Sequence, residues 1–271
     1  MLKVRKVLAS FLVLLFLVAW VNPSTKTVEA HINSESPIEA ISPIKRPLPT
    51  TRFHESAQSQ AVLPPKDPQN VVYLTFDDGP DPNWTIQILD ILERYQAGAT
   101  FYMIGYNVVS HPEVVREVAT RGQTLSVHGF NHFDLSGVGF AYFYNEIHDT
   151  ETVILDALGE DPALTQQFGR CMRPPYGKKS ELLATNAEAM GYEVSMWNID
   201  TKDWSGLSPD EILTHFRSAL EPNKVILMHD GGLERSNTVK ALELILHELL
   251  MQGFTALPYC TQEGQAIDTS D

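Results

Sequence analysis

The chain has 271 residues, enough for one large domain or two small ones, with 20 Lys and Arg against 34 Asp and Glu and a formal net charge of −14. That negative field argues against nucleic acid and against strongly anionic polymers as partners, and leaves a neutral polymer open. Two cysteines, Cys171 and Cys260, are too few for a disulfide scaffold, so a hydrophobic core must hold the fold.

In chain order, the first stretch is an export signal rather than core. Lys3, Arg5 and Lys6 precede an apolar run from about Val7 to Val21. The run is short for a membrane span and suits the apolar region of a signal peptide. Val28-Glu29-Ala30 offers a cleavage site after Ala30; the alternative is an uncleaved N-terminal anchor, the one membrane attachment expected here. Losing residues 1–30 takes away Lys3, Arg5, Lys6, Lys26 and Glu29, which leaves 16 basic and 33 acidic residues and a net charge near −17. The expected location is secreted or on the cell envelope, a compartment that permits a disulfide without requiring one. Residues 31–69, rich in Pro, Ser, Thr and Gln and without helical period, read as a flexible linker. The folded domain is expected over 70–262, with a short tail over 263–271.

From Val71, short β-branched and aromatic runs alternate with segments of helical period. The strand candidates are Val71–Phe76, Ala99–Ile104, Thr124–His128, Cys171–Pro174, Glu193–Asn198, Lys224–His229 and Phe254–Pro258. Helix starts are legible at Asp81-Pro82, at Ser110-His111-Pro112 and at Ser208-Pro209-Asp210-Glu211, a capping box with Pro in its first turn. Their helices run to Tyr95, to Gly122 and to about Leu220, and a last helix spans about Thr238 to Gln252. Apolar strands alternating with helices imply a parallel α/β sheet, closed or nearly closed into a barrel, with a doubly wound open sheet as the alternative.

The polar residues collect at strand ends. Asp77-Asp78 follows the first strand, His128 and His132 the third, and Arg173 with Tyr176 the fourth. Asp200 and Asp203-Trp204 follow the fifth, and His229-Asp230 the sixth. In a parallel barrel these ends share one face, where active sites sit. His128 and His132 form the one His-x-x-x-His spacing in the chain. Alone it also describes two surface histidines on a turn. With a carboxylate from Asp77-Asp78 it makes a two-His, one-carboxylate set with open positions, as catalytic zinc sites require.

"TFDDGP", "HGFNH", "RPPYG", "DTKDW" and "ILMHD", in that order, resemble the five motifs of the polysaccharide deacetylases, the NodB-homology family of carbohydrate esterases. The resemblance covers about residues 70–260. It implies a deformed seven-stranded (β/α) barrel and metal-dependent removal of acetyl groups from sugars. It makes Asp77 the general base, oriented by Arg173, and Asp78, His128 and His132 the ligands of one divalent ion, zinc first, with cobalt, manganese or nickel as alternatives. His229 becomes the general acid, tuned by Asp203. On the substrate side it places the Tyr176 N–H in an oxyanion hole, Trp204 on the groove wall, and Pro175 and Leu227 beside them. Asp200 is expected to support Arg173 or its own loop, and Asp230 to cap the segment after it.

One departure stands out. The family's second motif usually carries Ser or Thr directly after its first histidine; this chain has Gly129, and Ser126-Val127 replaces the more usual Gly-Asn before it. The ligand set is intact, so the departure bears on loop order and metal affinity.

The expected chemistry is amide hydrolysis. A metal acidifies water and polarises the carbonyl, a carboxylate takes the water's proton, donors hold the oxyanion, and a cationic histidine protonates the leaving amine. The expected enzyme is a monomer acting on an acetylated polysaccharide, peptidoglycan or chitin-like. Alternatives are another amide hydrolase of the same superfamily, or a catalytically silent wall-binding protein. Retention of both acid and base argues against the silent form. Trp84 and Trp197 are expected as packing, and Phe140, Tyr142, Phe143 and Tyr144 as core or a lip of the groove. His54, His111, His148, His215 and His247 are expected to face solvent or cap. Cys171 and Cys260 are expected to be unbridged, since their strands lie far apart around the ring and a bridge needs Cα atoms within about 7 Å.

Overall fold

The computed structural model describes residues 69–261. The expected signal segment, most of the linker, His54 and the C-terminal tail lie outside the described residues. No helix among the described residues is long and apolar enough to cross a membrane.

Val71–Asp77 (β1) is buried along its whole length, and its two faces serve different cores. Val72, Leu74 and Phe76 point outward into the apolar layer beneath the helices, while Val71 and Tyr73 pack inside the sheet's curve against Val225 and Tyr259. Side-chain alternation along a strand produces this division, and it explains why an apolar run without polar gaps still forms a strand.

After β1 the elements alternate as expected: Trp84–Tyr95 (α1), Thr100–Met103 (β2), Gly105–Ser110 (α2), Pro112–Thr120 (α3), Thr124–Val127 (β3), Phe140–Leu158 (α4) and Pro162–Thr165 (α5). Phe168–Met172 (β4), Glu181–Ala189 (α6), Glu193–Val194 (β5), Ile199–Asp200 (β6), Pro209–Ala219 (α7), Val225–His229 (β7), Ser236–Met251 (α8) and Thr255–Leu257 (β8) complete the domain. All strand pairs are parallel. The order is β5-β4-β3-β2-β1-β7-β6, with β8 paired to β1.

Of the expected fifth strand, Glu193–Asn198, only Glu193–Val194 is strand, paired with β4. Ile199–Asp200, just beyond the expected end, pairs with β7, so β5 and β6 form an interrupted strand at the seam of a deformed seven-stranded (β/α) barrel. The interruption has a cause. The carbonyls of Ser195 and Met196 face the Arg173 guanidinium, at 3.5 Å and 3.1 Å, instead of a neighbouring strand. The fourth strand lies earlier than expected because Pro174 and Pro175 have no N–H to extend the ladder. The capping box at Ser208 and Glu211 forms as read. Of the aromatic run opening α4, Phe143 alone is core; Phe140, Tyr142 and Tyr144 are exposed.

The unbridged cysteines are a correction. Cys171 and Cys260 form a disulfide with Cα atoms 5.9 Å apart. Their strands are not neighbours, but the chain beyond β8 crosses the floor of the barrel. Tyr259 and Cys260 donate their N–H groups to Thr100 Oγ1 on β2, and Thr261 accepts from Arg170 N on β4. The crossing leaves Cys260 beside Gly169, where a Cβ would lie 2.5 Å from its sulfur.

Candidate active site

The C-terminal ends of the strands converge on one rim. β1 ends at Asp77, and Asp78 leaves it with φ +75°, a left-handed conformation that Asp tolerates better than most residues. That reversal, more than strand alternation, sends the two adjacent carboxylates to different partners. The turn is packed to the limit: a Cβ on Gly79 or Gly231 would lie 2.2 Å from an oxygen of Asp230 or Asp78.

Asp77 is buried. Its Oδ1 accepts a hydrogen bond from Arg173 Nη1 at 2.8 Å, and its Oδ2 lies 3.8 Å from His128 Nε2. Burial raises its carboxyl above the ordinary range, with Arg173 and His229 pulling the other way. Arg173 is wholly buried, and a charge there needs a full set of partners. Nη1 also donates to Thr75 Oγ1 at 2.8 Å, and Nη2 to Ser195 Oγ at 3.3 Å. The Tyr102 ring lies 4.2 Å from the guanidinium carbon, and its hydroxyl donates to Ser195 Oγ at 2.6 Å. Thr75, Tyr102 and Ser195 escape a reading of the sequence because the first two lie inside strands and the third directly follows one. Their signal is that of polar residues at inward positions of otherwise apolar runs.

Asp78 Oδ1 lies 3.3 Å from His132 Nε2 and 3.6 Å from His128 Nε2. Tetrahedral bonds of about 2.0–2.1 Å put adjacent ligand atoms about 3.3–3.4 Å apart, so the three residues fit a divalent ion almost as they stand. His128 Nδ1 lies 2.7 Å from the Arg173 carbonyl oxygen, an acceptor, so Nδ1 carries the proton and Nε2 offers its lone pair toward Asp78. Burial holds this imidazole down to about 3, and a ligand must be neutral.

Across the rim, His229 Nδ1 lies 2.8 Å from Asp203 Oδ1, while Asp203 Oδ2 accepts from His229 N and Thr238 Oγ1, both at 2.9 Å. Burial works against the imidazolium, but the Asp203 hydrogen bond and charge outweigh it and raise His229 above its ordinary 6.5. Asp200 accepts from Lys202 N and Trp204 Nε1, at 2.9 Å and 3.3 Å, so of its two expected tasks it performs the loop one and leaves Arg173 to others.

These groups line a cavity of about 520 Å³, with Leu227, Tyr176, Trp204 and Leu233 on its walls. Tyr176 has φ +61° in a 3₁₀ turn over Pro175–Gly177, and its exposed ring stands 4.5 Å from that of His132. Pro175 is buried and packs against the loop that carries His128 and His132 instead of the cavity, near Gly129. Trp197 both packs and lines the cavity, against Gly177 and 5.6 Å from the Arg173 guanidinium. Asp230 does not cap the segment after it. It is fully buried, and its Oδ2 accepts from Thr85 Oγ1 on α1 at 2.5 Å, behind the Asp77-Asp78 turn. Arg235, missed in sequence, is buried with Nη2 3.8 Å from Asp78 Oδ2.

The sequence matches a family model described as polysaccharide deacetylase over residues 65–195. It is 36% identical to a chitooligosaccharide deacetylase of Bradyrhizobium over 69% of this chain and 88% of that protein. A crystal structure of a peptidoglycan N-acetylglucosamine deacetylase, in complex with 4-naphthalen-1-yl-N-oxidanyl-benzamide, superposes with a TM-score of 0.65 at 31% identity, covering 70% of this chain and 86% of that one. A peptidoglycan-N-acetylglucosamine deacetylase of Bacillus cereus is 35% identical over 69% of this chain and 84% of its own. Shared sequence over nearly the whole folded part, on the same barrel, places this chain in the polysaccharide deacetylase family.

Proposed function

We propose that this protein hydrolyses the N-acetyl groups of N-acetylglucosamine units in an extracellular glycan, peptidoglycan or chitin-like, using one divalent metal ion, zinc first. One observation carries the reading. A carboxylate backed by a buried arginine and an imidazole backed by a buried carboxylate flank a third set, Asp78, His128 and His132, that fits a divalent ion. Binding alone has no use for both an acid and a base.

A divalent ion held by Asp78, His128 and His132 would supply Lewis-acid activation of water and of the acetyl carbonyl. Asp77, its Oδ1 held by Arg173, takes the proton from the attacking water through Oδ2. The new C–O bond leaves negative charge on the former carbonyl oxygen, which the Tyr176 N–H meets from the turn after β4. His229, kept cationic by Asp203, gives its proton to the nitrogen as the C–N bond breaks, releasing acetate and a free amine. Trp204 and Tyr176 present exposed aromatic surface at the rim, suited to the apolar face of a sugar ring.

Location outside the cell is supported by the signal-like start of the sequence and by the Cys171–Cys260 disulfide, which persists in oxidising compartments. The test is mass spectrometry of products from purified peptidoglycan and chitin oligomers, with and without chelator. Loss of one acetyl mass per site, released as acetate and abolished by chelation, is expected. Unchanged substrates with Zn²⁺ supplied would refute the proposal.

A further inference from the structure

The loop that carries both histidines is held from behind by a residue outside the five motifs. Glu146 of α4 is 4% exposed, yet it is an acid in the middle of a packed helix face. Its Oε2 accepts from the backbone N–H groups of Phe130 and Asn131, at 2.8 Å and 2.9 Å. Its Oε1 accepts from Asn131 Nδ2 at 2.8 Å. The carboxylate therefore binds the two residues that lie immediately before His132.

His132 needs such support. It has φ +57°, a left-handed conformation that is unfavourable for a residue with a Cβ and persists only where surroundings fix it. His128 is anchored separately, with its ring bound to the Arg173 carbonyl and its backbone in the β2 ladder through Met103. Gly129, also at positive φ, leaves 3.5 Å between a built Cβ and Glu146 Oε2. The backbone directly after His128 thus faces the oxygen that orders the loop.

We propose that Glu146 is a positioning residue for the metal ligands: by accepting the Phe130 and Asn131 N–H groups it fixes the backbone that aims His132. The inference rests on the metal-binding reading above. Partners that orient a ligand usually change metal affinity 10–100-fold when removed.

The test is the Zn²⁺ dissociation constant of the full chain, measured by competition with a chromogenic chelator well below the unfolding midpoint. Glu146→Ala should bind Zn²⁺ about 10–100-fold more weakly, and Glu146→Gln, which keeps an acceptor oxygen for both N–H groups, should stay close to the parent. A loss under about threefold in folded Glu146→Ala, or a Gln variant as weak as Ala, overturns the inference. If Glu146→Ala does not fold, Glu146→Asp, which withdraws the carboxylate by one methylene, is judged by the same threefold limit. A parent chain that takes up no Zn²⁺ overturns the metal reading itself and this inference with it. Parent-like affinity in the variants overturns this inference alone.

Discussion

Replacing Arg173 with Met should separate the buried ion pair from everything else the site does. Arg173 and Asp77 meet at 2.8 Å with side-chain exposures of 0% and 5%. Two unit charges at about 2.8 Å attract by about 6 kcal/mol at an effective dielectric of about 20. Desolvation offsets much of that, so the pair adds little net stability, yet removing one member strands the other. The methionine fills much of the same volume but offers no donor to Asp77 Oδ1, Thr75 Oγ1 or the Ser195 and Met196 carbonyls. A cost of about 3–5 kcal/mol is expected, the usual consequence of leaving a buried charge unpaired. For a folded unit of this size that is a fall of about 6–20 °C in melting midpoint. Urea unfolding at pH 7 in chelator, which removes metal linkage, measures it. Arg173→Met combined with Asp77→Asn should recover at least about 2 kcal/mol of the loss, because the stranded charge has gone. If the double variant is no more stable than the single, or the single costs under about 1 kcal/mol, the pair is not what holds Asp77.

Asp77→Asn should lower turnover at saturating metal by about 10²–10⁴-fold while Zn²⁺ affinity stays near the parent's; Asp78→Asn should weaken Zn²⁺ binding strongly, with excess metal restoring part of the activity. Equal metal loss in both, measured after dialysis, would mean a shared role instead. Because His229 is raised above 6.5, the stability it draws from Asp203 is full below that value and fades as pH rises through the raised one. Asp203→Asn should remove that dependence and move the basic limb of activity to lower pH, a shift that titrating both rates and unfolding free energies would reveal. Cys171→Ala with Cys260→Ala opens a loop of 89 residues and should cost about 2–5 kcal/mol by urea unfolding, with activity kept in the variant that remains folded. A cost below about 1 kcal/mol would show that the barrel floor is held without the bridge.

Much of this protein is legible along the chain because it is local chemistry. Alternating apolar runs and capped helices imply parallel strands, and parallel strands put Asp77, His128, Arg173, Asp203 and His229 on one rim, so the candidate site can be assembled from the sequence. The capping box at Ser208 and Glu211 is read off four residues and forms as read. What stays hidden depends on residues distant in sequence. Glu146 lies 14 positions beyond His132 on a helix whose aromatic start masks it, and nothing local says that its carboxylate turns back to the histidine loop. Asp230 reads as a cap and instead reaches Thr85, 145 residues away. The fifth strand stops at Val194 where a guanidinium takes the Ser195 and Met196 carbonyls that a neighbouring strand would have used. The disulfide shows the limit of ring order most directly. Order fixes which strands are neighbours, but the chain beyond the last strand is free to cross the barrel floor, and only the packing of Tyr259, Cys260 and Thr261 against Thr100 and Arg170 decides that it does.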